Sequence, residues 1–356
     1  MIAYAQFAYP FLSFLRFLKG IANNKEVAMR AVSNLLICAI SSLALSCGYF
    51  KSDKKGVELF PIKQNGKWGL INKSGALVIN PQFDSIPEFH DGLARMKIDN
   101  KWGFIDQTGK YAIAPQFDST GHFSQELALV RMWNMWGYID TQGKYAINPQ
   151  YEEADDFSED LARVRIAGRW GYIGKKGEIV VNPQFDVASN FADEFACVGI
   201  GNDVGYIDQE GKYAITPQFD SGKDFSGEMA AIAVGSIWGY IDKNGAIVIH
   251  PQFEITPGKF SDGLAAVSLQ GQWGYIDKAG KYVITPQFES AGDFANGLAR
   301  VVIRGKSGFV DKNGMVTISP QFDLAMEFSS DITRVEVDGR IGYIDKTGNY
   351  TWTPTE

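Results

Sequence analysis

Trp136-Gly137-Tyr138-Ile139-Asp140 decides the reading of this chain, because the same phrase returns almost to its end. Its glycines fall at Gly69, Gly103, Gly137, Gly171, Gly205, Gly239, Gly274, Gly308 and Gly342, every 34 residues apart from one step of 35 between Gly239 and Gly274. A second phrase keeps the same time, Pro149-Gln150-Tyr151-Glu152. Its prolines recur at Pro81, Pro115, Pro183, Pro217, Pro251, Pro286 and Pro320, and Pro354 closes the series. Self-similarity at a fixed period of this size marks a repeat architecture.

Residues 161–185 serve as a specimen unit. Leu161-Ala162-Arg163-Val164-Arg165-Ile166 alternates strictly, which is the pattern of a half-buried strand. Ala167-Gly168-Arg169 turns the chain, and Trp170 to Ile173 makes a second strand rich in aromatic and β-branched residues. A glycine-bearing turn leads to a third strand, Glu178 to Asn182, ending at Pro183, which has no amide hydrogen to give to a ladder. A crossing segment follows, with a phenylalanine at the matching place in the units, Phe89, Phe123, Phe157, Phe191, Phe225, Phe260, Phe294 and Phe328. These rings are expected to lock each unit to the next, and Trp68, Trp102, Trp136, Trp170, Trp238 and Trp273 are expected to be largely buried.

A 34-residue period also belongs to helical tetratricopeptide arrays, but every unit here carries two or more glycines, a proline after an extended run, and period-two alternation. The fold class is therefore all-β, with nine tandem three-stranded antiparallel meanders. A propeller blade usually takes about 40 to 45 residues, and the array starts and ends in phase, near Val57 and at Pro354. The expected arrangement is an open twisted repeat array, with a β-propeller-like ring as the alternative.

The two phrases resemble the WG-repeat family, a group of bacterial proteins named for the Trp-Gly pair, over residues 57 to 354. Val204, Ser307 and Ile341 stand where that family's tryptophan should be. The resemblance implies an all-β repeat scaffold, often extracytoplasmic, with no shared chemistry or ligand.

The N-terminus reads as an address. Met29-Arg30 precedes an apolar run from Leu35 to Leu45, then Ser46-Cys47, the layout of a signal peptide. Leu43-Ala44-Leu45-Ser46-Cys47 resembles a bacterial lipobox, in which the cysteine is lipidated and becomes the first residue. The expected division is a signal region over 1–46, lipid attachment and tether over 47–56, and the repeat domain over 57–356. Residues 1–28 fit a signal poorly, so translation is expected to start at Met29. Removing residues 1–46 leaves 30 basic against 40 acidic residues, a net charge of -10 against -7 for the whole chain. That balance argues against nucleic-acid binding, which needs a basic face.

The repeat offers three sets of chemically active side chains. The aspartates Asp106, Asp140, Asp208, Asp242, Asp277, Asp311 and Asp345 occur once per unit, before the turn glycine, and are expected to cap that turn rather than to bind calcium. His90, His122 and His250 have neither zinc spacing nor a nucleophile beside them. Tryptophan as a sugar platform is opposed by Val204 and Ile341, which suit packing and cannot stack. No catalytic residue, metal or cofactor is expected.

The expected function is a non-catalytic binding or scaffold protein. It would be held on a lipid at Cys47 in the cell envelope, at the outer membrane or cell surface, and would bind a protein or polymer partner; a cell-envelope glycan binder is the alternative. The candidate surface is a window of small residues on the first long strands, Cys197, Gly199, Ala231, Ala233, Ala266 and Ser268, with Arg163 and Arg300 as basic shoulders. The other reading of the window is that another part of the same chain covers it.

Overall fold

The computed structural model describes residues 59–83 and 89–355, all within one compact unit spanning Gly56–Glu356. Cys47, the signal region 1–46 and the tether 47–56 lie outside the described residues. The described chain forms nine small antiparallel sheets, seven of four strands and two of three. We call them blades 1 to 9, at 59–83, 89–117, 119–151, 153–185, 187–219, 221–253, 255–288, 290–322 and 324–355.

Blade 4 shows the unit. Strand a is Glu153–Ala154, strand b Leu161–Ile166, strand c Arg169–Gly174 and strand d Ile179–Phe185, paired in that order. Two features differ from the sequence reading. A fourth, two-residue strand a lies on the free edge of strand b, too short to leave a periodic signal. Strand d also continues through Pro183 to Phe185, because the ladder slips there: Tyr172 pairs with Val181, yet Trp170 pairs with Phe185. The proline sits in that bulge, where a missing amide hydrogen costs nothing.

The bulge explains the invariant glycine of the Trp-Gly pair. A Cβ on Gly171 would lie 2.5 Å from the Val181 carbonyl oxygen and 2.7 Å from the Pro183 nitrogen, so only glycine lets strand d pass. The turn glycines have another reason. Gly143 has φ +79 and rests on Ile113 of the preceding blade. The aspartate before that turn caps it as expected: Asp140 Oδ1 accepts the backbone N–H of Gln142 at 3.0 Å and of Lys144 at 2.9 Å. Asn72 does the same in blade 1. Where Gly174 removes the aspartate, the Glu178 carboxylate takes its place and accepts the Lys176 N–H at 3.1 Å.

The hydrophobic core is divided among the blade interfaces. Between blades 3 and 4 it gathers Leu127, Leu129, Tyr138 and Ile147 against Tyr151, Ala154, Phe157 and Ile173. The crossing phenylalanines do lock neighbours together: Phe157 and Phe191 meet the rings of Tyr138 and Tyr172 edge-on, at 4.9 and 4.8 Å. Each of these buried tyrosines donates its hydroxyl to a carbonyl of the next blade, Tyr138 to Asp155 and Tyr172 to Ser189, both at 2.7 Å. Burial pushes the Tyr172 phenol above its ordinary range.

The same contacts join the last blade to the first. Ile332 and Tyr343 of blade 9 share a core with Phe60, Ile62 and Ile71 of blade 1. Tyr343 donates to the Pro61 carbonyl at 2.6 Å, and Lys73 pairs with Asp331 at 3.3 Å. The nine sheets therefore close into a propeller ring, the alternative arrangement, and not the open array. A unit of 34 residues suffices because strand a can be as short as two residues and a single residue, such as Glu152, separates strand d from the next strand a.

Candidate functional site

The crossing segments, from each strand a to the following strand b, lie against one another from blade to blade. A cavity of about 670 Å³ there draws on five successive blades, with Ser158, Phe191, Lys223, Lys259 and Asp293 among its lining residues. Two series of hydrogen bonds tie one segment to the next. Ser124, Ser158, Ser226 and Ser261 donate to the carbonyls of Phe157, Phe191, Phe260 and Phe294 at 2.6 to 2.9 Å. In the other series the side chains of Asp91, Gln125, Glu159, Asp193 and Asp262 accept a backbone N–H from the next blade's turn.

The position before each crossing phenylalanine is chemically varied: His122, Asp156, Asn190, Asp224, Lys259, Asp293 and Glu327. Burial pushes the Asp156 carboxyl up, and its neighbour Asp155 adds to the effect. Burial and then Glu327 do the same to Asp293, opposed by Lys259. Burial, then Arg95 and His90, hold His122 down to about 4, with the two imidazole rings 4.2 Å apart.

The small-residue window lies indoors. Cys197, Gly199, Ala231, Ala233, Ala266 and Ser268 are all buried; in blades 5 and 6 strand a pairs along this stretch, Val187 opposite Gly199 and Ser221 opposite Ala233, and in blade 7 the crossing segment does so, Gly258 donating its N–H to the Ala266 carbonyl at 2.8 Å. Period-two alternation separates the two faces of a strand but does not reveal that both are covered. The window nevertheless hollows the blades out: Ala231 lines the large cavity, and Cys197 and Arg163 line a second one of about 340 Å³. Asp224 lines both. Burial pushes the Cys197 thiol up to about 12. Arg163 is bound to the Asp155 carboxylate and the Ala188 carbonyl, with its guanidinium 4.7 Å above Trp170. Arg300 is half-buried against Gly292 and lines neither cavity.

The repeat tryptophans are mostly buried, packed against the cores between blades with part of each ring left at the surface. Most of them carry a cation on the outer face: Lys63 over Trp68, Arg95 and Lys97 over Trp102, Arg131 over Trp136 and Lys223 over Trp238, at 5.5 to 5.8 Å. A valine or isoleucine fills the inner half of such a position, which explains Val204 and Ile341.

Solved structures resemble the ring at low sequence identity. The crystal structure of the eukaryotic initiation factor aligns with a TM-score of 0.60 at 12% identity, covering 84% of this chain and 96% of that one, a likeness of fold alone. Dihydro-heme d1 dehydrogenase NirN in complex with DHE gives 0.46 at 12% identity, over 84% and 72%. BamB from Moraxella catarrhalis gives 0.41 at 10%, over 82% and 92%. No curated protein matches the chain. The WG containing repeat matches residues 68–102, 102–134, 136–170, 170–202, 205–236, 238–273, 273–306 and 308–340. Each match takes in the glycine pressed beneath strand d and the bulge that crosses it. The chain belongs to the WG containing repeat family.

Proposed function

We propose that this chain is a non-catalytic binding or scaffold protein of a bacterial cell envelope, held on a lipid at Cys47 and presenting its ring to a protein or polymer partner. One observation carries the binding part. The nine units act as their own alignment, and the positions that hold the ring hardly change: the glycine under the bulge, Pro-Gln-Phe/Tyr and the crossing phenylalanine. The residue before that phenylalanine changes in charge and size from blade to blade. A ring that served only as a spacer would have no use for such differences along its crossing segments, whereas a recognition surface built across several repeats does.

The turn aspartates are engaged in capping, which leaves the groups of the crossing segments as the varied polar surface. The glycan-binding alternative has less support, because five of the six repeat tryptophans, Trp68, Trp102, Trp136, Trp170 and Trp238, already carry lysine or arginine on the face a sugar would stack on. The lipid anchor is supported by Leu43-Ala44-Leu45-Ser46-Cys47.

Cys47→Ala is expected to move the protein from the membrane fraction to the soluble fraction and to abolish incorporation of a labelled fatty acid. Retention in the membrane, with no label in the parent either, would remove the anchor from the account. A pull-down from an envelope fraction, run beside a glycan array, tests the partner class. Capture of glycans without any protein would favour the alternative.

A further inference from the structure

The near-ninefold repeat makes each blade a control for the others, and blades 6 and 7 depart from it at several points. The inserted residue falls in Ile255-Thr256-Pro257, at the start of blade 7. Blade 7 has no strand a, although every other blade whose entry segment is fully described has one. At blades 3, 4, 5, 6, 8 and 9 the acid entering the blade donates its backbone N–H to strand b, as Asp186 does to Gly199 at 2.9 Å and Asp220 to Ala233 at 3.1 Å. The matching pair in blade 7, Glu254 and Ser268, makes no such bond. Ser268 is 5% exposed, and its hydroxyl has no partner among the described residues. Gly227 stands where Glu159, Asp193 and Asp262 provide the side chain that ties one turn to the next.

The cavity of about 670 Å³ opens at this irregular junction. Its wall holds Ala231 at a place where blades 2, 4, 8 and 9 carry Arg95, Arg163, Arg300 and Arg334. In blade 4 that arginine reaches across to Asp155 and the Ala188 carbonyl, filling the space between blades. Alanine in blade 6 leaves the space open, and its volume lies within the roughly 300–1,000 Å³ of small-molecule sites.

The walls sort into an apolar floor and a divided rim. Phe191, Phe225, Met229 and Tyr240 are buried beneath it, with Pro257 beside them. Of the four acids on the rim, Glu159 and Asp193 already accept backbone N–H groups of Glu194 and Glu228, at 2.9 and 3.1 Å. Asp293 accepts the backbone N–H of Lys259 and Asp224 makes no such bond; both stand beside Lys223, whose ammonium lies 5.7 Å over Trp238, and Lys259, neither of which makes a salt bridge among the described residues. A ligand with a single charge would meet like charge on one side of this rim, which disfavours it. A ligand bearing both charges meets complementary groups on each side.

We infer that this cavity binds a small zwitterion of the amino-acid or short-peptide class, with its carboxylate toward Lys223 and Lys259, its ammonium toward Asp224 and Asp293, and an apolar side chain on Phe225 and Tyr240. This rests on the binding role proposed above and supplies its ligand.

Calorimetric titration of the full chain with the dipeptide phenylalanyl-alanine, its N-acetyl derivative and its C-terminal amide tests it. The free dipeptide is expected to bind, and each blocked form to bind at least tenfold more weakly. Ala231→Leu places in blade 6 the residue that Leu129 provides in blade 3, and is expected to abolish binding while thermal unfolding stays cooperative. Lys259→Gln, at an exposed rim position, is expected to weaken the free dipeptide tenfold and to leave the amide unchanged. Equal binding of all three compounds, or no binding at millimolar dipeptide, overturns the ligand class. If the parent then still captures an envelope partner in the pull-down, the binding role stands without this ligand; if it captures none, both fall.

Discussion

Gly239→Ala is expected to destabilise blade 6 by about 3 kcal/mol or more, the upper range for overpacking, because the new methyl would meet backbone. Its Cβ would stand 2.4 Å from the Ile249 carbonyl oxygen and 2.7 Å from the Pro251 nitrogen, both inside the bulge of strand d. Neither atom can withdraw without undoing the pairing of Trp238 with Phe253. Gly235→Ala is the control. It meets nothing within 4 Å, and its φ of +62 costs about 1 kcal/mol for a left-handed alanine. Urea unfolding followed by tryptophan fluorescence reads both. Equal, small losses would mean that the glycine of the Trp-Gly pair is not there to let the bulge cross.

Phe191→Ala is the second large effect, at about 3–5 kcal/mol for a buried phenylalanine removed from a packed interface. The ring is 1% exposed, meets Tyr172 edge-on at 4.8 Å, and belongs to the core shared by blades 4 and 5. Val187→Ala lies nearby in sequence, yet its side chain is 53% exposed, and a loss within about 0.5 kcal/mol is expected. Hydrogen exchange should show the protection of blades 4 and 5 falling first in Phe191→Ala. A loss as small as that of Val187→Ala would remove the crossing phenylalanines as the locks between blades.

Those phenylalanines were legible in the sequence because their spacing repeats and because an aromatic in a polar segment needs an apolar neighbour. Strands b and c were legible from period-two alternation, and the turn aspartates from their place before glycine. Strand a was not, since two residues such as Glu153–Ala154 carry no period. Closure of the ring was not legible either. It depends on a small rotation accumulated over nine interfaces, and the contact of Tyr343 with Pro61 leaves no local trace. Proline misled at strand d because a missing donor ends a ladder only where a donor is needed. The column from Cys197 to Ala266 is visible in the sequence as a loss of arginine, but what lies over it depends on the short strands and crossing segments, which leave no periodic signal. The residues are buried, as the second reading of the window has it, and the missing arginines leave a cavity beneath the surface.

Closure is also the point on which the account can be tested most directly, with the unmodified chain. A zero-length carbodiimide joins a lysine amine to a carboxylate only where the two already touch. Between neighbouring blades, Lys243 with Glu194 and Lys278 with Glu228, at 2.8 and 2.9 Å, provide internal controls. Lys73 of blade 1 and Asp331 of blade 9 are 3.3 Å apart only because the ring is closed. At low protein concentration, peptide mapping should find the Lys73–Asp331 link within single chains beside the two controls. Recovery of the controls without that link would contradict the closed ring.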